Sequence, residues 1–409
     1  MTGVSRYGHD MSSSSVKLGR LIPLTLAGLI MIGPFTVDTP FPAFSAIQAD
    51  FHVGASATQQ LVSFYLFTFG VMSVFHGPLS DAIGRKPVMI GGVAVYALAS
   101  LGCVFAPNMT VLLTLRAVQG ISAGGGVVLA RTLVRDLYDG PDAQRLMSRV
   151  MMIFSLAPAI APIIGGMIVA NANWRWIFAG LSFLGLVLIA LIIFVLPETQ
   201  PVERRTPLKV SALVANLWDV ARNPTFLSIA FIAALSFGAL FAYIGAAAIV
   251  VVDLLHLGET DFWMLFVPLI GGMLIGSYVS GRAAGRIATT RLVTMSLTGA
   301  VVAAGLNLAL SETILPLQML GPALIAFAVQ TGYPTVQLLL LDMFPETRGA
   351  ATSVMTVISL VLNAVVAGLL TPLVAHSMLS LAVTSLLAVL LAYGLWRRYL
   401  AQHPKALES

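Results

Sequence analysis

With 409 residues, a mean hydropathy of +0.94, 58% apolar side chains and only 10% charged ones, the chain has too little polar surface to cover a soluble globule. Its net charge of +5 comes with no basic, aromatic-interleaved soluble segment, which argues against a nucleic-acid partner, and its one cysteine, Cys103, cannot form an internal disulfide. The composition is that of a chain whose main solvent is the bilayer.

Arg6, Lys17, Arg20 and a serine run at 12–15 precede an apolar stretch too long and proline-rich for a signal sequence, with no cleavage site, so the first helix is expected to be retained. Windows of about 20 nearly uncharged residues, enough to cross about 30 Å of hydrocarbon, then recur along the chain. They predict twelve spans, roughly 21–47, 57–79, 87–107, 109–131, 147–170, 176–196, 224–251, 260–281, 291–310, 315–341, 350–373 and 377–398. With the N-terminus inside, 20 of the 22 Lys and Arg fall on the cytoplasmic side, leaving Arg175 in an outer loop and Arg116 within a span. The expectation is an all-α membrane protein with both termini cytoplasmic.

The first span holds GPFTVDTPFP, Gly33–Pro42. Pro34, Pro40 and Pro42 have no N–H to donate, which frees the carbonyls of Ile30, Thr36 and Asp38. Freed carbonyls and an acid at membrane depth both call for a polar cavity. At about 1.5 Å per residue Asp38 lies about 25 Å from Leu21, past the midplane unless the helix tilts. It is either a proton-carrying acid in that cavity or the cap of a broken helix's outer end.

GPLSDAIGRKPV, Gly77–Val88, closes the turn between spans two and three. Gly77 and Gly84 allow close approach and a tight reversal, and Asp81 can pair with a nearby base. Arg85 and Lys86 hold the turn at the interface, and taken alone they read as a positive-inside anchor. LRAVQGISAGGG, Leu115–Gly126, places Arg116 about a third of the way into span four. A buried arginine there costs about 2.5–3.5 kcal/mol on insertion scales, so it calls for a partner or a wet cavity unless it snorkels to the surface. Small residues from Ser122 to Gly126 admit a closely packed neighbour. In span five, SLAPAIAPIIGGMI carries Pro158, Pro162, Gly165 and Gly166, which predict a bent helix with a flat face suited to packing first and substrate contact second.

The charged, proline-bearing break from Leu196 to Pro224 divides the chain into a six-helix bundle at 1–196, a cytoplasmic linker at 197–223 and a second six-helix bundle at 224–409. Short echoes support a repeat: VMMIFSL at 150–156 with VMTVISL at 354–360, SDAIGRK at 80–86 with GRAAGRI at 281–287, and AVQ at 117–119 with AVQ at 328–330. Phe327 then stands where the first half has Arg116. Repeated bundles place substrate near the midplane between halves that rock against each other. Tyr65, Gln119, Phe237, Tyr243, Gln330, Tyr333, Gln337 and Asn363 are candidate cavity residues, although a residue of this kind is more often a packing or interhelical one than a ligand contact. Aromatic breadth with few fixed charges favours varied amphipathic ligands.

GPLSDAIGRKPV, LRAVQG and APAIAPIIGG, followed by WRWIF at 174–178, resemble three signatures of the drug–proton antiporter branch of the major facilitator superfamily. ARTLVRDLY at 130–138, LPET at 196–199 and the D-x-x-x-P of Asp38–Pro42 bring the chain nearest to its Bcr/CflA multidrug efflux subfamily. The resemblance spans the whole chain and is denser in the first half. It implies a monomeric carrier of the bacterial cytoplasmic (inner) membrane, with small amphipathic substrates, the proton as coupling ion, no other cofactor and no metal. Two departures stand out: Ala82 where the loop motif usually has a base, and Pro40 where the subfamily usually has tyrosine after the aspartate. The acid that some relatives carry two turns earlier is replaced by Leu29, Ile30 and Met31, which leaves Asp38 for proton coupling, with Arg116 tuning it. A proton-coupled carrier dedicated to one metabolite is the alternative. No enzyme is expected, because there is no HExxH, no Cys/His cluster and no nucleophile elbow, and His9, His52, His76, His256, His376 and His403 are scattered through tails, loops and span ends.

Overall fold

A computed structural model describes residues 13–137, 140–205, 209–283, 286–345 and 347–403. Arg6, His9 and Lys405 lie outside the described residues, as do the side chains of Lys17, Arg20, Arg135, Arg145, Arg149 and Arg204 and those of the VMMIF run at 150–154. Among the described residues all regular structure is helical.

In the first half the long helices are α1 (Ser13–Asp38), α3 (Ala55–Ile83), α4 (Arg85–Val104), α5 (Met109–Leu137), α6 (Gly140–Asn171) and α7 (Arg175–Val195), with a short α2 (Phe44–Phe51) after α1. The break holds α8 (Val210–Ala221). The second half follows with α9 (Pro224–Gly245), α10 (Trp263–Ala283), α11 (Thr289–Leu310), α12 (Leu315–Asp342), α13 (Arg348–Val365), a four-residue α14 (Thr371–Val374) and α15 (Met378–Gln402). Among the described residues eleven helices are long and apolar enough to cross a membrane, and Leu156–Asn171 supplies a shorter apolar stretch of α6. The chain is therefore a multi-pass membrane protein.

Local chemistry sets the helix ends. Pro40 and Pro42 stop α1 at Asp38, earlier than the expected boundary near 47, and a 3-10 turn, Phe41–Ala43, leads into α2. Asn223 caps α9 by accepting from the Phe226 N–H at 2.9 Å, with Pro224 in the first turn. Two π-helical segments, Ile249–Leu254 and Val366–Leu370, continue the lines of α9 and α13.

Packing follows the repeat. In the first half α3 and α4 pack on α5, α4 on α7, and α1 on α6; in the second α10 and α11 pack on α12, α11 on α15, and α9 on α13. The sequence echoes thus fall in helices with matching neighbours. The halves meet along two seams that the same correspondence interchanges: α3 against α13 with its π segment, and α6 against α10. The helix of the break, α8, lies on α13.

Candidate functional site

Asp38 ends α1 with 3% of its surface exposed. The prolines that stop the helix also hold this last turn in the interior, where the Thr36 hydroxyl pairs with the Tyr96 hydroxyl at 2.6 Å and donates to the Ile32 carbonyl at 2.6 Å. Tyr96 comes from α4, so one hydrogen bond ties two helices two residues before the acid.

Arg116 is fully buried on α5. Its Nε donates to the Leu61 carbonyl of α3 at 2.9 Å and its Nη1 to Gln119 Oε1 at 3.0 Å. The guanidinium carbon stands 5.0 Å from the centre of the Tyr65 ring, a cation–π contact worth about 2 kcal/mol when desolvated. Gln119 passes the order on, donating from Nε2 to Ser100 Oγ of α4 at 2.7 Å. Helices α3 and α5 approach closely because Gly120 has no side chain; a Cβ there would run into Thr68 and the Tyr65 carbonyl.

Among the described residues no ion pair joins Arg116 to Asp38, and two polar atoms of this cluster, Arg116 Nη2 and the Tyr65 hydroxyl oxygen, are buried without a hydrogen-bond partner. Tyr65 lies within electrostatic reach of both Asp38 and Arg116. The structure therefore brings together Arg116, Tyr65 and Gln119, and links Asp38 to them only through Tyr65.

Gly165 and Gly166 of α6 stand beside the end of α1. A Cβ at Gly165 would meet the carbonyl of Thr39, the residue after Asp38, and a Cβ at Gly166 would meet the backbone of Glu259 in the other half. Adjacent glycines thus touch the end of α1 and the loop before α10. Pro158 and Pro162, both inside α6, are half-buried and buried. At this end Phe41 stacks on Phe266 across the halves, with ring centres 6.4 Å apart. Gln60 Nε2 donates to the Gly368 carbonyl at 2.7 Å, and Ser63 Oγ to the Ala364 carbonyl at 2.8 Å. This end is sealed.

The loop motif builds a separate network at the opposite end. Gly84 adopts φ +117°, a conformation that favours glycine, and a Cβ there would meet Glu198 and Arg205. Arg85 pairs with Asp81 at 2.5 Å and with Asp136 at 3.2 Å, and also donates to Ser80 Oγ at 2.6 Å. Glu198 accepts the first two N–H groups of α4, from Arg85 at 2.9 Å and Lys86 at 3.1 Å, and Lys86 Nζ donates to the Ile193 carbonyl at 2.7 Å. Gly77 has open space around its Cα. Asp136 and Glu198 were visible in the sequence as parts of ARTLVRDLY and LPET, without a sign of which groups they would hold.

The remaining candidates divide. Phe237 of α9 stacks with Phe241 at 6.4 Å and lies 5.7 Å from Tyr333 of α12. Gln337 neighbours the Tyr333 hydroxyl, and Arg131 of α5 interacts electrostatically with Tyr333 from the other half. Tyr243 instead accepts a 2.7 Å hydrogen bond from Asn307 Nδ2 of α11, and Gln330 packs on Gly276 of α10. Asn363 is 5% exposed on α13 with Oδ1 unpartnered. Sequence reasoning passed over Gln59, whose amide nitrogen and oxygen are both buried without partners. The cluster of Thr58, Gln59, Gln60 and Ser63 at the start of an apolar span was its available signal. Each such unpaired group costs about 1–3 kcal/mol.

A family model described as Major Facilitator Superfamily matches residues 26–367. The chain is 33% identical over 274 residues to a bicyclomycin resistance protein homolog of Haemophilus influenzae, covering 67% of this chain and 69% of that one. It is 30% identical over 270 residues to multidrug resistance protein D of Escherichia coli, covering 65% and 66%. A solved bacterial homolog of the human lysosomal transporter Spinster, inward-facing and unoccupied, superposes with a TM-score of 0.72 at 16% identity over 94% of this chain and 98% of that one. The chain belongs to the major facilitator superfamily, and its family and fold are those of membrane transporters.

Proposed function

We propose that this major facilitator exports small amphipathic compounds across a bacterial cytoplasmic membrane in exchange for protons, by alternating access. The observation that carries the reading is the interior acid of the first half: Asp38 ends a proline-broken helix, shielded from water, and Tyr65 lies within electrostatic reach both of it and of a buried guanidinium that has no carboxylate partner among the described residues. A bare carboxylate is expensive in such surroundings, so the acid is neutral when dry and charged when water or Arg116 reaches it.

This reading entails a cycle. With the Phe41 end closed, water can reach Asp38 only from the side that the distribution of Lys and Arg assigns to the cytoplasm. Separation of α3 from α13 and of α6 from α10 would open the sealed end and bring Asp38 to outer water, where it reloads. Gly165 and Gly166 transmit the motion, since they touch the end of α1 and the second half at once. Substrate entering from inside competes with the proton through the shared crevice, while Phe237 and Tyr333 offer a ring surface to apolar parts. The resistance proteins among the relatives support drugs as the cargo.

The test is Asp38→Asn in inverted vesicles. Loss of substrate-linked proton release, with the protein still inserted and folded, is the expected result; undiminished release sinks the assignment. A carrier dedicated to one metabolite would share Asp38, and counterflow with a substrate panel separates the two, since one compound alone would then exchange.

A further inference from the structure

The seam between α3 and α13 carries two kinds of polar side chain. Gln60 and Ser63 are satisfied by carbonyls of the helix line opposite, at 2.7 and 2.8 Å. Gln59, the neighbour of one and a helical turn before the other, is fully buried with neither amide atom paired. Along α3, Gln59, Ser63 and Gly70 share a face by their spacing of four and seven residues. Ser63 and Gly70 meet Ala364 and Leu360 of α13, so Gln59 belongs to the same face, nearer the sealed end. On the α13 side of the seam Asn363 follows the same pattern: it adjoins Ala364, is buried, and leaves its Oδ1 unpaired.

A glutamine side chain offers two donors and an acceptor with two lone pairs, and buried amides almost always use them. An apolar side chain of similar shape would fill this position without that penalty. Gln59 is therefore suited to a partner that is absent when the seam is dry. Neutral amides bind neutral hydroxyl and amide groups, and offer nothing special to a bare cation.

We propose that Gln59 and Asn363 form a selectivity site for the transported molecule, hydrogen-bonding neutral hydroxyl or amide groups of the substrate. In this division of labour Asp38 and Arg116 handle charge and the two amides handle neutral polar groups. It rests on the efflux reading only in taking the space between the halves as the substrate path.

The test measures binding to the purified full-length chain, with chloramphenicol as a neutral probe bearing hydroxyls and an amide, and tetraphenylphosphonium as an apolar cation with neither. Gln59→Leu and Asn363→Leu should each weaken chloramphenicol binding about tenfold and leave tetraphenylphosphonium within about twofold. Gln59→Met serves as a second variant of matched length, and thermal melting checks each fold. Melting at or above the wild-type temperature is expected, because an unpaired amide has gone. Absence of chloramphenicol binding by the unaltered chain, equal losses for both probes, or no change in either would overturn the proposal. A chain that binds both probes as expected but exports neither would count against the efflux reading and leave the selectivity site standing.

Discussion

The two halves share a packing scheme and differ in what they bury. Among the described residues the charged side chains with less than a tenth of their surface exposed, Asp38, Arg85 and Arg116, all belong to the first half. The second half packs Phe237 against Phe241 and Tyr333 and has Phe327 at the position equivalent to Arg116. A repeat that kept its helix contacts while one copy lost its charges separates two tasks. The first half can handle a proton, and the second can accommodate shape.

The largest blow to this contrast is Asp38→Asn, expected to reduce proton-linked transport to the level of carrier-free vesicles, measured by pH-sensitive dye release on substrate addition. Next comes Arg116→Ala. A coupling free energy of about 1–3 kcal/mol corresponds to roughly 5–150-fold, so transport should fall by at least about fivefold with a displaced pH profile. Normal rates with an unmoved profile would reduce Arg116 to packing. Gly166→Val places a branched side chain where even a Cβ meets the Glu259 backbone, an overpacking of about 1–3 kcal/mol that should shift the population toward separation of α6 from α10, read by spin-label distances across the sealed end. The smallest effect belongs to the uncharged half. Phe237→Ala removes ring contacts worth about 0.5–1.5 kcal/mol and should weaken aromatic substrates about two- to tenfold while sparing proton linkage. A loss of proton coupling in that variant would erase the division between the halves.

The membrane class, the helical spans and the repeat were legible because apolar length is a strong signal and echoes as short as AVQ mark equivalent helices. Asp38 and Arg116 stood out because a charge within a span is costly enough to need a reason. Less of the site could be read in advance. That Gln119 would orient Arg116 while Gln330, its repeat partner, packs against Gly276 depends on which helix lies opposite, and a single sequence does not contain that. Tyr243 illustrates the same limit, since its hydroxyl is engaged by Asn307 of α11 and not turned to the crevice. Gln59 escaped attention because an amide at the edge of a span looks like ordinary interfacial chemistry until both its atoms are found buried.

The capping of α4 by Glu198 also bears on biosynthesis. The first two N–H groups of α4 find their acceptor 113 and 112 residues further along the chain, just past the end of α7. A ribosome making this protein releases α3 and α4 long before the carboxylate that completes their turn exists. Until then the reversal at Gly84 lacks that acceptor, and the first six spans can lock only once the stretch leading to the second half has emerged. Translation would thus impose an order of assembly, in which the first residues of the linker act as the first bundle's closing fastener before the second bundle begins.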